Sequence, residues 1–382
     1  MIPFVRILGY GNTAPKPKEF PKAIQNILSV TMYLDTTTSK LYALGTNASG
    51  QLGTGDRNDT TGGTFMEVLS GVESYYLGNS GTVCIMLNGT IMFSGSSNYY
   101  SNPNGNLYAW TDITASFTAI GLVASDIKDA VLSTGMFFLL NDGSYACVGS
   151  VTYSQWGIGS PVVVRNLTRY TSSFGAIDEV CGTYESTIIR IGGKVYRSGY
   201  SVSSTGTTVQ NPQWTAIPGL DNVVTMGTVY QAEYYFLSSG AIYTCGFNQL
   251  SSLKLSQTTS GYYANPVQSL STFNPLTELR CISSVASSGT QSPIMYNDGK
   301  YYICGQNSNG KLGVGLTNNP VSPLHEMDMS NLDAAVKYVA SDSVNRTWVM
   351  DTNKKLYACG TVNITGFGSY NKPTIVTNMP WY

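Results

Sequence analysis

Seven times along this chain a short apolar run meets a polar turn, and a second short run then ends on glycine. The copies are Met32–Gly45, Val83–Gly95, Met136–Gly149, Thr187–Gly199, Tyr234–Gly246, Pro293–Gly305 and Thr347–Gly360. The terminal glycines recur at intervals from 47 residues (199 to 246) to 59 residues (246 to 305). A unit of this size cannot bury its own faces and must stack on its neighbours, so the repeat constrains the whole 382-residue chain to a ring or solenoid. It overrides the two or three domains that length alone would suggest. Residues 1–382 are expected to form one domain.

Each unit opens on an apolar or β-branched stretch: Ile24–Val30, Val72–Leu77, Ile127–Leu132, Ile177–Cys181, Val223–Met226, Cys281–Val285 and Val336–Val339. The hairpin turns are of the reversing kind, such as Asn88-Gly89, Asp142-Gly143, Gly192-Gly193, Ser239-Gly240 and Asp298-Gly299. Asn-Gly and Asp-Gly reach the positive φ of tight turns without steric cost. The first and last units use longer turns, Asp35–Lys40 and Asp351–Lys355. A fourth strand is expected at Phe65–Leu69, Tyr108–Ile113, Val162–Leu167, Trp214–Ile217, Pro266–Leu270, Leu324–Met327 and Thr374–Thr377. Four short strands in seven units predict an all-β, seven-bladed β-propeller of four-stranded antiparallel blades. The aromatics Tyr42, Phe93, Tyr145, Tyr196, Tyr243, Tyr302 and Tyr357 recur in the third strand and are expected to fill the space between blades.

The run Phe4–Leu8 lies outside the seven units. It is expected to pair with C-terminal strands and close the ring, removing two exposed sheet edges. Residues 1–22 then read as this closing strand and a Pro/Lys linker. Charged residues make up only 11% and the net charge is −1, which leaves no electrostatic footprint for nucleic acid. No apolar run reaches the roughly 20 residues of a membrane span, so membrane insertion is not expected. Met1–Arg6 lacks the pattern of a secretory signal. The seven cysteines contain no CxxC pair. Cys245, Cys304 and Cys359 each precede a terminal glycine, in a slot held elsewhere by Leu44, Ser94, Val148 and Ser198. A slot shared by these residues predicts a buried site for a small side chain, with the cysteines reduced.

After the terminal glycine the first unit reads Gly45-Thr-Asn-Ala-Ser-Gly-Gln-Leu-Gly-Thr-Gly55, and the sixth Gly305-Gln-Asn-Ser-Asn-Gly-Lys-Leu-Gly-Val-Gly315. Trp156-Gly157-Ile158-Gly159 keeps part of this text in the third unit. The pattern resembles the glycine-rich signature of the regulator of chromosome condensation family, whose repeats form a seven-bladed propeller. The clustered glycines are expected to let the backbone pass close to a neighbouring strand. The chain also departs from the family. The resemblance implies a histidine before each hairpin, but His325 is the only histidine, and the comparable places hold Met136, Ser186 and Ser292. No segment matches the residues by which some members drive nucleotide exchange on a small GTPase.

Chemistry has little footing in this sequence. No Gly-x-Ser-x-Gly elbow is present, and no catalytic residue, cofactor or metal is assigned. Gly310-Lys311-Leu312 lacks the hydroxyl and helix of a phosphate loop. Leu324–Asp328 reads as a solvated outer strand with His325 and Met327 on one face. Asp56-Arg57-Asn58-Asp59 lacks the spacing of a calcium loop and offers at most a weak cation site. The candidate partner-binding residues are aromatic: Tyr99 and Tyr100 in the loop 98–104, then Tyr108 and Trp110, and Tyr262 and Tyr263 in the loop 260–265. Tyrosine amid Ser, Gly and Asn is a mixture that binding loops favour, while packing over blade edges is the competing reading.

The expected function is therefore a noncatalytic structural or protein-binding propeller. Low charge and abundant Ser, Thr, Asn, Gly and Tyr associate it with a bacteriophage virion component. Such a component could decorate a capsid, collar, tail or fibre, with assembly in the host cytoplasm. Its partners would be virion proteins or a host surface. The alternatives are a free protein-binding inhibitor or adaptor, secreted or cytoplasmic, and, with least support, a GTPase exchange factor.

Overall fold

In a computed structural model, the chain forms seven four-stranded antiparallel sheets. The described residues are 24–27, 30–60, 64–100, 105–159, 163–183, 185–202, 208–229, 232–248, 262–272, 280–282, 293–297, 299–317, 321–341, 346–361, 368–377 and 379–381. In every sheet the strands lie side by side in chain order. Blade 1 comprises Ile24–Ile27, Val30–Asp35, Lys40–Gly45 and Met66–Ser70. The other six repeat this plan, opening at Val72, Ile127, Glu179, Val223, Arg280 and Val336. First strands of neighbouring blades touch, from blade 1 through blade 6 and again between blades 7 and 1, so they line the axis. The expected seven-bladed propeller is present. Each described sheet comes from one contiguous segment, and the predicted closing strand Phe4–Leu8 lies outside the described residues.

The terminal glycines have a common geometric cause. All seven hold a positive φ, from +85° at Gly360 to +138° at Gly95. In six blades the pairing of third and fourth strands shifts register just before that glycine, as between Phe93 and Gly95 or Ala358 and Gly360. This is a β-bulge, and its positive φ selects glycine. The bulge leaves the preceding residue outside the ladder with the fourth strand, and its side chain is buried. Leu44, Ser94, Val148, Ser198, Cys245, Cys304 and Cys359 are all at most 4% exposed. The six described cysteines are buried and form no disulfide among the described residues, as expected. Burial pushes the Cys304 thiol up to about 12, so at neutral pH it behaves as a small apolar group.

The hydrophobic core is divided into seven clusters, and each occupies one interblade interface. Five of the recurring aromatics are buried there; Tyr243 and Tyr302 are only half-buried. Tyr243 turns its hydroxyl toward Gln268 (3.2 Å), which draws the ring to the rim. The interface between blades 7 and 1 closes the ring. It contains Tyr33, Tyr42, Phe65 and Trp348, with Trp381 packed between them at 4.5 Å from Tyr33 and 5.2 Å from Tyr42. Lys354 Nζ meets Asp35 Oδ1 at 2.9 Å across the same seam.

Two fourth strands begin five or more residues earlier than expected. In blade 4 the strand is Thr208–Ala216, and in blade 7 it is Ser369–Ile375. Pairing continues beyond the terminal glycine in both, to Val202 opposite Thr208 and Thr361 opposite Ser369. Blade 5 overturns a loop assignment more strongly. Tyr262 and Tyr263 open a strand, Tyr262–Thr272, opposite Phe247 and Gly246.

Candidate functional site

The two faces of the ring differ in construction. One carries the hairpin turns, and the other carries the segments that follow the terminal glycines. Ion pairs gather at the turn face: Lys40–Glu67 (2.8 Å), Arg169–Asp142, Arg190–Asp178 (3.2 Å), Lys300–Glu326 (2.8 Å) and Lys355–Asp333 (2.6 Å). His325 lies half-buried on blade 6's outer strand, opposite Ile303. Exposed Glu326 is held by Lys300, and Asp328 by Lys372 at 2.5 Å.

Asp328 offers a pH test. Hydrogen bonds from Lys372 and Ser330 depress its carboxyl to about 2. A depressed carboxyl contributes stability above its unfolded pKa, and that contribution is lost as pH falls from about 4 through about 2. Asp328→Asn should therefore be less stable than the parent at pH 6, and the difference should shrink toward pH 2. Urea titrations at the two pH values measure this.

At the loop face, the glycine signature proves to be a docking device. In blade 1, Asn47 is fully buried. Its Oδ1 accepts from Leu52 N–H (2.9 Å), and its Nδ2 donates to Thr54 Oγ1 (2.8 Å) and the Asp56 carbonyl (3.0 Å). Asn307 repeats the arrangement in blade 6, accepting from Leu312 N–H at 3.0 Å and donating to the Leu316 carbonyl at 2.8 Å. The loops then lie against the next blade's outer strand. Gly55 donates to the Tyr108 carbonyl, Gly159 to Pro212 and Gly315 to Asn371, each at 2.9 Å. A Cβ on Gly50 would sit 2.7 Å from Tyr108 Cα, and one on Gly310 2.5 Å from Asn371 Cα. The predicted close approach is thus confirmed. Asn47→Ala would strand the buried Leu52 N–H and is expected to cost about 1–3 kcal/mol by denaturant unfolding.

The slot before the next terminal glycine answers each retained loop. Ser94 Oγ donates to Gly50 O, Ser198 Oγ to Ser154 O (2.7 Å) and Cys359 Sγ to Lys311 O (3.2 Å). After blade 2 a helical turn, Ser97–Tyr100, replaces the glycine loop. There the next slot is apolar Val148.

These contacts place four of the sequence-predicted residues. Tyr99 was expected in a loop but belongs to the helical turn, 3% exposed in the core between blades 2 and 3. Tyr100 is half-buried, and its hydroxyl meets Ser116 Oγ. Tyr108 and Trp110 are half-buried on blade 2's outer strand, where Gly50 and Gly53 settle against them. Trp110 Nε1 donates to the Val68 carbonyl (2.9 Å). The Asp56 carboxylate is occupied by Thr54 and Asn58 (2.7 and 2.8 Å), and no metal-ligand cluster occurs among the described residues.

Blades 4 and 5 break the pattern. Their third and fourth strands continue past the terminal glycine as short paired ribbons, to Val202 opposite Thr208 in blade 4 and to Phe247 opposite Tyr262 in blade 5. Between the ribbons lies a shallow cleft, open to solvent, with an enclosed volume of only about 10 Å³, lined by Thr183, Ser186, Tyr200, Ser201, Tyr263 and Ala264. Tyr262, its neighbour, shares the ribbon backbone. Arg197 and Glu233 line the floor of the cleft and form an ion pair across the interface, with side chains 11% and 6% exposed. Tyr235 donates its hydroxyl to the same Glu233 oxygen, and Cys245 Sγ lies 3.1 Å from it. Burial opposes the Arg197 charge, but the Glu233 carboxylate outweighs it and raises the guanidinium well above its ordinary value. Burial and the same carboxylate push Cys245 and Tyr235 upward, so both stay protonated. The arrangement supports hydrogen bonding and shape recognition.

Sequence reasoning passed over Arg197 and Glu233. Aligned on the terminal glycine, the column of Arg197 reads Ala43, Phe93, Cys147, Arg197, Thr244, Ile303 and Ala358. The residues opposite the buried slot are Thr31, Thr82, Met136, Thr187, Glu233 and Thr347 in six blades. Each is the lone charge in its column.

Seven contiguous blades with a glycine-loop face can now be compared with known structures. Prp20p from Saccharomyces cerevisiae superposes with a TM-score of 0.70, at 14% identity, over 92% of this chain and 86% of its own; that work describes its binding to Gsp1p and histones. Yeast RCC1 (Prp20) bound to Kap60 gives 0.70 at 12% identity, over 99% and 91%. The fold is that of the RCC1-type propellers. Human WBSCR16 agrees, with a TM-score of 0.66 at 14% identity over 89% and 95%. No family model matches the chain. Among the described residues, no helix is long and apolar enough to cross a membrane.

Proposed function

We propose that this RCC1-type propeller is a noncatalytic protein-binding scaffold, built into a bacteriophage particle and docked through its loop face at blades 4 and 5. The observation that carries the reading is the local break in the repeat. Five other interblade interfaces keep small or apolar residues in the columns where this one holds Arg197 and Glu233. The same two blades carry strand pairing past the terminal glycine on either side of a hydroxyl-lined cleft. Departures from a repeated scaffold mark the places where a surface has a task beyond stability. Solved neighbours of this fold are described binding proteins, namely Gsp1p, histones and Kap60. The ion pairs of the turn face already satisfy one another.

A photo-crosslinking residue placed at Ser201 or Ala264 tests the docking face, with Asp142 on the turn face as the control. The expected result, in purified particles, is cross-links to a virion protein from the first two positions and none from Asp142. Absence of the chain from particles overturns the virion setting. A soluble partner captured at the same positions would identify a free inhibitor or adaptor instead. Cross-links confined to Asp142 overturn the choice of face. Because the cleft's charges pair with each other, binding should change little between low salt and about 0.5 M salt.

A further inference from the structure

The two lone charges sit at the roots of the two ribbons. Arg197 lies two residues before Gly199, where blade 4's ribbon leaves the sheet. Glu233 is paired with Cys245, one residue before Gly246, where blade 5's ribbon leaves. The pair therefore ties one root to the other directly beneath the cleft. An ion pair withdrawn from water is a poor way to hold two blades together, because well-packed apolar residues of similar volume are often as stable or more so. Other interfaces of this ring do without a charge at these columns. An ion pair offers direction instead: a planar guanidinium and an anchored carboxylate restrain distance and angle, whereas apolar contact is non-directional. Here the restraint is reinforced, since Tyr235 and Cys245 fix the same Glu233 oxygen.

We infer that Arg197 and Glu233 are positioning residues that set the separation of the blade 4 and blade 5 ribbons and hold the cleft between them in its binding geometry. The inference rests on the reading of that cleft as the docking site. It concerns the free protein, so it can be tested with no partner present. Hydrogen exchange of the full chain is followed by mass spectrometry in the parent and in the double variant Arg197→Met/Glu233→Met. The expected result is a melting temperature close to the parent's, together with exchange about tenfold faster or more in 200–202, 208–210 and 262–264. Exchange in the hairpin strands of other blades should not change. Parent-like ribbon protection in this stable double variant would show that the pair merely fills space, and would overturn the inference. Should the methionine pair fail to fold, Glu233→Asp carries the same test: faster ribbon exchange supports positioning, and unchanged protection sinks it. Failure here leaves the docking face standing, because the cross-linking result is independent. Failure of cross-linking leaves the exchange result standing.

Discussion

Trp348→Ala should destabilise the protein by about 3–5 kcal/mol, measured by denaturant unfolding. Trp348 is fully buried on blade 7's second strand and projects into the interface with blade 1. Phe65 meets it edge-on, with ring centroids 5.7 Å apart, and the Arg346 guanidinium lies 5.6 Å from its centroid. Truncation removes a fully buried tryptophan from the closing seam, and the surrounding rings belong to two separate sheets that can only partly collapse into the space. Trp348→Phe is the informative companion. The indole Nε1 is buried without a hydrogen-bond partner, so phenylalanine discards an unsatisfied donor along with some volume. Its cost should be well below that of alanine. Equal losses from both substitutions would mean that the donor, not the packing, dominates at this site.

Glu233→Met should be the other severe change, with an expected loss of about 3–5 kcal/mol. The substitution leaves Arg197 in a protein interior with its counter-charge gone, and Tyr235 and Cys245 lose their shared acceptor. Arg197→Met should cost less, because the Glu233 carboxylate keeps those two neighbouring groups. Combining Arg197→Met with Glu233→Met should recover most of the loss, giving a favourable coupling in a double-mutant cycle. Additive losses in that cycle would show that the two side chains act separately.

The architecture was legible because the features that mark a blade are local. Asp142-Gly143 and Gly192-Gly193 announce a turn, and the seven terminal glycines answer a backbone requirement that leaves few other residues available. The buried pre-glycine slot was legible from its tolerated set of Cys, Ser, Val and Leu. The ribbons were not. Whether the chain turns after Gly199 or continues as Tyr200 and Ser201 opposite Gln210 and Val209 depends on cross-strand pairing, and the hydroxyl-rich text there has no clear alternation. Tyr99 misled for a related reason. Tyrosine among Ser and Asn describes a binding loop and a helical turn packed on Phe93 equally well, and burial decides between them. Arg197 and Glu233 were hidden by distance in sequence; each looks ordinary until the copies are aligned column by column.

The contiguous origin of every described sheet has a consequence for how the ring is made. Six of the seven interfaces join neighbours in sequence and can assemble in order as the chain emerges. The seventh must bring together groups as far apart as Asp35 and Lys354, 319 residues along the chain. Loop-closure entropy grows only logarithmically, so this last joint costs about 1.6 kcal/mol more than one spanning a single 50-residue unit. Tyr33, Tyr42, Phe65, Trp348 and Trp381 interlock at that joint. The aromatic seam is thus the step that turns an open stack of blades, with an unburied face at each end, into a molecule without ends.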